Sequence, residues 1–318
     1  MPEEESVKHV FGPVPSRRLG RSLGVDLVPM KTCTLDCLYC QVGRTTMHTV
    51  ERAEYVPADA LVREVLARLE EGAEPDYVTL SGSGEPTLNT AFGEVIRRLK
   101  SDARVPLIAL ITNGTLFGDP EVRRDAAAAD VDLPSLDAGT EEVFRRLNRP
   151  HPSLALAGLV EGLVRFREEY AGRIWLELFM VKGVNTDPEE LGAMKGHVER
   201  IRPDKVQLNT AVRPTAEADV PRLGAEEMKR LARFFGPGAE VVADYSREAK
   251  AALAAGAREV YETLARRPCT LEDLAAGLGI RREEAAKCVS ALEADGRVRR
   301  EERAGRIYYV AVQAIGPE

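Results

Sequence analysis

Apolar and polar positions alternate along this chain with two different periods. Leu61, Val65, Leu66 and Leu69 share one face of a helix expected over Ala58 to Glu71. Short apolar runs predict strands at Leu23 to Leu27, Tyr77 to Leu80, Val105 to Ile111, Val131 to Leu136, Ile174 to Val181 and Lys205 to Leu208. Helical patterns fall between them, over Ala91 to Lys100, Pro120 to Ala129, Glu141 to Leu147, Leu154 to Tyr170, Pro188 to Ile201 and Ala225 to Phe235. A last short strand is expected at Glu240 to Ala243, and the Pro-, Gly- and Arg-rich stretch 10–22 reads as an ordered loop. Six main strands alternating with helices predict an α/β fold around a parallel sheet. Right-handed crossovers curl such a sheet into a barrel, and the pattern alone does not separate a closed one from a partial one.

Residues 244–318 change character. Tyr245 to Ala265 is Ala-rich and helical. Thr270, with Asp273 three residues on, opens a second helix, and Arg281 to Ala294 forms a third. Arg297 to Arg300 and Ile307 to Val312 read as two strands around an Ala304-Gly305 turn. Helices followed by a hairpin predict a winged helix-turn-helix domain with Leu271, Leu274, Leu278, Ile280, Val289 and Leu292 in its core. The chain thus divides into a barrel domain, 1–243, and a winged helix-turn-helix domain, 244–318.

Composition narrows the class. The 318 residues carry a net charge of −7 and only 5% aromatics, so the core is mainly aliphatic and there is no global attraction to nucleic acid or anionic membrane. Three of the five cysteines cluster, which argues against a disulfide framework and for a reducing compartment. The acidic start, Met1-Pro2-Glu3-Glu4-Glu5, lacks the order of a signal peptide. No apolar run approaches the ~20 residues that span a bilayer. A cytoplasmic protein is expected.

The chemistry concentrates at Cys33, Cys37 and Cys40, spaced C-x3-C-x2-C. Three thiolates on so short a loop can face one centre, and soft thiolates select iron–sulfur clusters, zinc or copper(I). The nearest further ligand is His48, eight residues on, so the site is one ligand short of a closed zinc site. Ser81 to Thr87, Ser-Gly-Ser-Gly-Glu-Pro-Thr, follows the second strand, where small residues let backbone approach a ligand or simply make a turn. Asn113 follows the third strand in a Thr-Asn-Gly turn. Ser135 and Asp137 end the fourth and alternate, so they point the same way, to a ligand or to solvent. The basic run Arg145 to His151, with Arg17 and Arg18, suits an anion or a solvated helix end equally. Glu177, Lys182, Gln207 and Asn209 are candidates to line the lumen. Cys269 and Cys288 read as small apolar core residues.

Taken together, the cysteine loop, with Tyr39 before its last cysteine, and the Ser-Gly-Glu-Pro-Thr turn resemble the radical S-adenosylmethionine (radical SAM) superfamily. The resemblance implies a partial (β/α)6 barrel with a [4Fe–4S] cluster at its top, held by Cys33, Cys37 and Cys40. The fourth iron would be left to S-adenosylmethionine (SAM). It implies that Tyr39 packs near the adenine, that Ser83, Gly84 and Glu85 meet the methionine amino group, and that Asn113, Ser135 and Asp137 face SAM. The chemistry implied is reductive cleavage of SAM to a 5′-deoxyadenosyl radical that takes hydrogen from a substrate, with flavodoxin or ferredoxin as electron donor. Over residues 10–243, the opening Pro-Ser-Arg-Arg-Leu-Gly included, the chain is similar to stand-alone proteins grouped with the wybutosine-synthesis (tRNA-modifying) branch. The second cysteine cluster and flavodoxin domain of that branch's tRNA enzymes are missing. Three functions stay open: a radical SAM enzyme on RNA or peptide docked by the winged helix, one on a small metabolite, and an iron–sulfur redox sensor that reads DNA.

Overall fold

The structure is a computed structural model of the chain. It describes residues 9–16, 18–211, 215–217 and 220–242, then 257, 260, 261, 264, 269–278, 280, 282–303 and 306–312. The chain separates into two units, Met1–Ala243 and Asp244–Glu318.

The first unit is built on strands β1 (Val10–Ser16), β2 (Gly20–Asp26), β5 (Tyr77–Ser81), β6 (Leu107–Thr112), β7 (Val131–Pro134), β8 (Arg173–Met180), β9 (Lys205–Thr210) and β10 (Ala239–Val241). They form one sheet in the order β1-β2-β5-β6-β7-β8-β9-β10, with β1 and β10 as its two edges, so the barrel is open. Every pairing is parallel except β1 with β2. Helices α1 (Ala58–Glu70), α2 (Phe92–Lys100), α3 (Pro120–Ala126), α4 (Glu141–Asn148), α5 (Leu156–Glu169), α6 (Pro188–Ile201) and α7 (Ala225–Phe235) make the returns. Local chemistry sets their starts. Asp119 and Asp187 cap α3 and α6, each with proline in the first turn, and Thr140 caps α4.

Stretch 10–22, expected as an ordered loop, is instead largely β1 and the start of β2. Pro13 and Pro15 cannot donate to a ladder, which confines such a segment to a sheet edge. Leu23, Val25, Val78, Leu80, Leu176 and Leu178 pack with the helices in the main core. On the opposite face Leu19, Ala109, Val131, Leu133 and Trp175 form a separate apolar floor. Above this floor the lumen turns polar. Ser22 and Thr79 hydroxyls pair at 2.7 Å, and Glu177 meets Arg18 and Asn209. The ladder between β7 and β8 lapses after Asp132 and resumes at Ser135, because Pro134 has no N–H.

In the second unit, α8 (Leu271–Leu278) and α9 (Arg282–Ala294) precede a hairpin of β11 (Val298–Arg303) and β12 (Arg306–Ala311). Thr270 and Asp273 close a reciprocal capping box, at 2.9 and 3.1 Å. Cys269 and Cys288 are buried with Leu274, Val289, Leu292 and Tyr309. Most of the expected helix 245–265, together with Arg281 and the Ala304-Gly305 turn, lies outside the described residues.

Candidate functional site

The site gathers at the C-terminal ends of the strands. The cysteine loop leaves β2, and its first residues, β3 (Thr32–Cys33), pair with β4 (Met47–His48) to close it. Lys31 is buried and left-handed, with φ 64°. Its N–H donates to the Ser83 carbonyl at 2.7 Å, and the Glu85 N–H donates to the Thr32 carbonyl at 3.0 Å. These two bonds stitch the cysteine loop to the glycine turn. That turn has no room for side chains. A Cβ on Gly84 would lie 2.1 Å from the Thr32 carbonyl oxygen, and Gly82 sits at φ 121° against Asp26. Asp26 in turn accepts from the Ser83 N–H at 2.9 Å.

Glu85 is 1% exposed, and its carboxylate points inward. It accepts from the Thr87 N–H and hydroxyl at 3.1 and 2.6 Å, the Thr112 hydroxyl at 2.7 Å and the Asn113 N–H at 2.7 Å. Burial raises its pKa, and these donors work against the rise. Glu85 therefore braces the turn from inside. Asn113 looks onto the cysteine loop. Its Nδ2 lies 2.7 Å from Thr34 Oγ1 and 3.6 Å from Cys33 Sγ.

Tyr39 lies face to face on Phe179, with centroids 3.9 Å apart and planes 10° from parallel. Its hydroxyl donates to Asp137. Asp137 also accepts from Asn148 Nδ2 at 2.9 Å and from the Phe179 N–H at 2.8 Å. Burial pushes the Asp137 carboxyl up to about 6 while these donors oppose it. Asp137 is 3% exposed and serves to hold Tyr39, whereas Ser135 is half-buried and bridges Glu177 through the backbone.

The sulfurs sense one another. Burial pushes the Cys33 thiol up to about 12, with Glu85 and then Cys40 adding to it. Burial likewise carries Cys37 well above the thiol range, with Asp137, Cys40 and Cys33 adding. Thiolates at Cys33 and Cys37 need a strong positive charge beside them, as irons supply. A side-chain N–H donor approaches each sulfur, Asn113 at Cys33, Asn148 at Cys37 (3.5 Å) and Lys31 at Cys40 (3.1 Å), and the Leu35 backbone N–H adds a second at Cys33. Among the described residues no three His, Cys, Asp or Glu side chains close on a single metal ion. Ligands to separate irons of a cluster stand wider apart than ligands to one zinc. His48 is turned to the Thr34 carbonyl, 3.0 Å away.

Sequence reasoning missed Lys31 and Asn148. Asn148 lay within the basic run, where the arginines drew notice. Those arginines are otherwise engaged. Arg145 binds Glu141 and the Leu154 carbonyl, and Arg149 binds Glu217. Lys182 is exposed and pairs with Glu227. Arg17 lies outside the described residues. Glu177, Arg18 and Asn209 do meet in the lumen, with Asn209 Nδ2 2.8 Å from Glu177. Gln207 donates to Glu240 at 3.0 Å, but among the described residues its buried Oε1 has no partner.

A thiol triplet at the mouth of an open parallel barrel, fastened to a glycine turn, is the arrangement of one class of enzyme. The model of the radical SAM superfamily matches residues 27–193, and the chain belongs to that superfamily. Among individual proteins it is similar to a UPF0026 protein of Methanocaldococcus jannaschii, 35% identical over 71% of this chain and 70% of the relative. It is also 35% identical, over 92% of its length, to a protein of Brachyspira hyodysenteriae named GTPase Obg, and spans 44% of that longer protein. In fold it resembles TYW1 with a lysine-pyruvate adduct bound, with a TM-score of 0.53 and 18% identity over 68% of this chain and 72% of that one. The protein is an enzyme, its cofactors are a [4Fe–4S] cluster and SAM, and enzymes of this superfamily typically need an electron donor. The sensor alternative gives way on that ground. Among the described residues no helix is long and apolar enough to cross a membrane.

Proposed function

We propose that Cys33, Cys37 and Cys40 ligate the [4Fe–4S] cluster and that the wall facing it binds SAM. Ser83 and Gly84 offer backbone to the methionine end, and Tyr39 and Ser135 offer side chains. Asn113 contacts the cluster side, while Glu85 and Asp137 hold these groups in place. When bound, the two cofactors together supply one-electron cleavage of a sulfonium and removal of hydrogen from a substrate C–H bond. The protein's share is positional. The stitched turn keeps the cysteine loop and the SAM wall in register, and the Tyr39–Phe179 stack keeps water away. Below it, the Arg18–Glu177–Asn209 group presents polar contacts to whatever enters the lumen.

The observation that carries this proposal is the fastening of the three-cysteine loop to the glycine turn at Lys31–Ser83 and Thr32–Glu85. The test is anaerobic reduction with SAM. We expect 5′-deoxyadenosine from the wild type, and loss of both bound iron and this product in Cys33→Ala, Cys37→Ala and Cys40→Ala. Retention of iron in all three variants overturns the ligand assignment.

For the substrate we infer a peptide, docked by residues 244–318 acting as a winged helix-turn-helix, in preference to RNA or a small metabolite. Residues 1–243 form the catalytic domain in this proposal, flavodoxin or ferredoxin supplies the electron, and the free thiols suit the cytoplasm. What favours a peptide over RNA is that four arginines of the second unit, among the described residues, already have partners. Arg282 pairs with Glu272, Arg299 with Glu301 and Arg300 with Glu293, and Arg297 lies over Tyr261. The three that face carboxylates have little positive charge left for phosphates. Binding of tRNA with a steep salt dependence overturns this choice.

A further inference from the structure

We propose that Lys31, Asn113 and Asn148 act as a set, one side-chain N–H donor to each cysteine sulfur, that raises the reduction potential of the cluster. The inference rests on the assignment of Cys33, Cys37 and Cys40 as its ligands. The donors come from three places in the fold. Lys31 follows β2, Asn113 follows β6 across 80 residues from Cys33, and Asn148 ends α4, 111 residues from Cys37.

Their orientations are determined. Asn113 Oδ1 accepts from the Thr115 N–H and hydroxyl at 3.0 and 2.7 Å, so its NH2 must face Thr34 and Cys33. Asn148 must turn its NH2 to the Asp137 carboxylate, and this leaves its Oδ1 buried with no partner among the described residues. A buried carbonyl left unbonded is costly. It persists here because the donor end is committed to Asp137, Tyr39 and Cys37. Lys31 gives the strongest sign. It is 6% exposed, and among the described residues its ammonium meets Cys40 Sγ and no carboxylate. A buried ammonium needs an anion, and a ligating thiolate is one.

Reduction adds one electron from the external donor to the cluster, much of it felt at the sulfurs. An N–H aimed at a sulfur therefore stabilises the reduced form more than the oxidised one. The charged donor, Lys31, should contribute most.

The experiment is a reductive titration, followed by electron paramagnetic resonance, of cluster-loaded wild type, Lys31→Met, Lys31→Gln, Asn113→Ala and Asn148→Ala, with the exposed Lys229→Met as control. Lys31→Met is expected to lower the reduction equilibrium constant about tenfold, which is about 59 mV for one electron. Lys31→Gln keeps an N–H without the charge and falls between. Each asparagine variant moves the same way by about threefold, and Lys229→Met does not move. Loaded variants that all titrate with the wild type overturn the inference. For any variant that fails to load, pulsed resonance on wild type labelled with 15N-lysine decides: a nitrogen coupling to the reduced cluster is expected, and its absence overturns the role of Lys31. Iron and sulfide content of the cysteine variants keeps the two failures apart. A cluster retained without the cysteines refutes the ligand assignment, whereas a normal cluster with unmoved potentials refutes only the tuning.

Discussion

Substituting Gly84 by alanine tests the fastening on which the site depends. The new Cβ would lie 2.1 Å from the Thr32 carbonyl oxygen and 2.8 Å from a Val28 methyl. Ordinary contact begins near 3.4 Å, so the gap to the oxygen must open by about 1.3 Å. Val28 can rotate, but the Thr32 carbonyl cannot. It belongs to the backbone beside Cys33 and accepts the Glu85 N–H at 3.0 Å. Overpacking of this kind costs about 1–3 kcal/mol, and loss of the hydrogen bond adds about 1 kcal/mol. A total near 3 kcal/mol lowers Tm by about 6–12 °C for a unit of this size. A shift of about 1 Å at a reacting centre costs on the order of a hundredfold in rate, so 5′-deoxyadenosine formation should fall further than stability alone explains. Thermal unfolding, iron content and product yield, measured anaerobically on the same preparation, provide the check. A Gly84→Ala protein with wild-type Tm and wild-type product refutes the argument that this turn is pinned by backbone contact.

Gly192 and Gly196 lie on the exposed side of α6, where an added methyl would meet nothing within 4 Å, so alanine at either should stabilise by about 0.5–1 kcal/mol; a fall in Tm contradicts this. Glu177→Ala leaves the Arg18 guanidinium without its carboxylate in the lumen and should cost about 3 kcal/mol in urea unfolding, whereas an unchanged midpoint means that the pair is solvated. Asp137 predicts a pH dependence in the cluster-free protein. Its carboxyl titrates near 6 when folded and near ~3.9 when unfolded, so the folded state holds the proton longer. Stability should therefore fall, by on the order of 3 kcal/mol, as pH rises from about 4 to about 6, and then level off. Asp137→Asn should lack this fall, and a wild-type stability that rises relative to it across that window refutes the sign.

Much of this was legible along the chain because it is local. The helices over Pro188–Ile201 and Ala225–Phe235 follow from period, caps and breakers within a few residues. The cysteine triplet is legible because a cluster loop must be short. Stretch 10–22 misled because prolines mark a loop and an edge strand alike, and only a neighbouring β2 tells them apart. The inward turn of Glu85 was not legible either, since Thr112 and Asn113 reach it from another strand.

By itself, then, the sequence determined the alternation of main strands and helices from Leu23 on, the superfamily and the clustering of the three cysteines. The tertiary structure decided that the barrel stays open, that Tyr39 lies on Phe179 under the hold of Asp137, and that an N–H reaches each sulfur. The reason is range. Periodicity and spacing are set between near neighbours, whereas Asn113 and Asn148 meet their cysteines across 80 and 111 residues, a distance closed only by the packing of β6 and α4 around the mouth of the sheet.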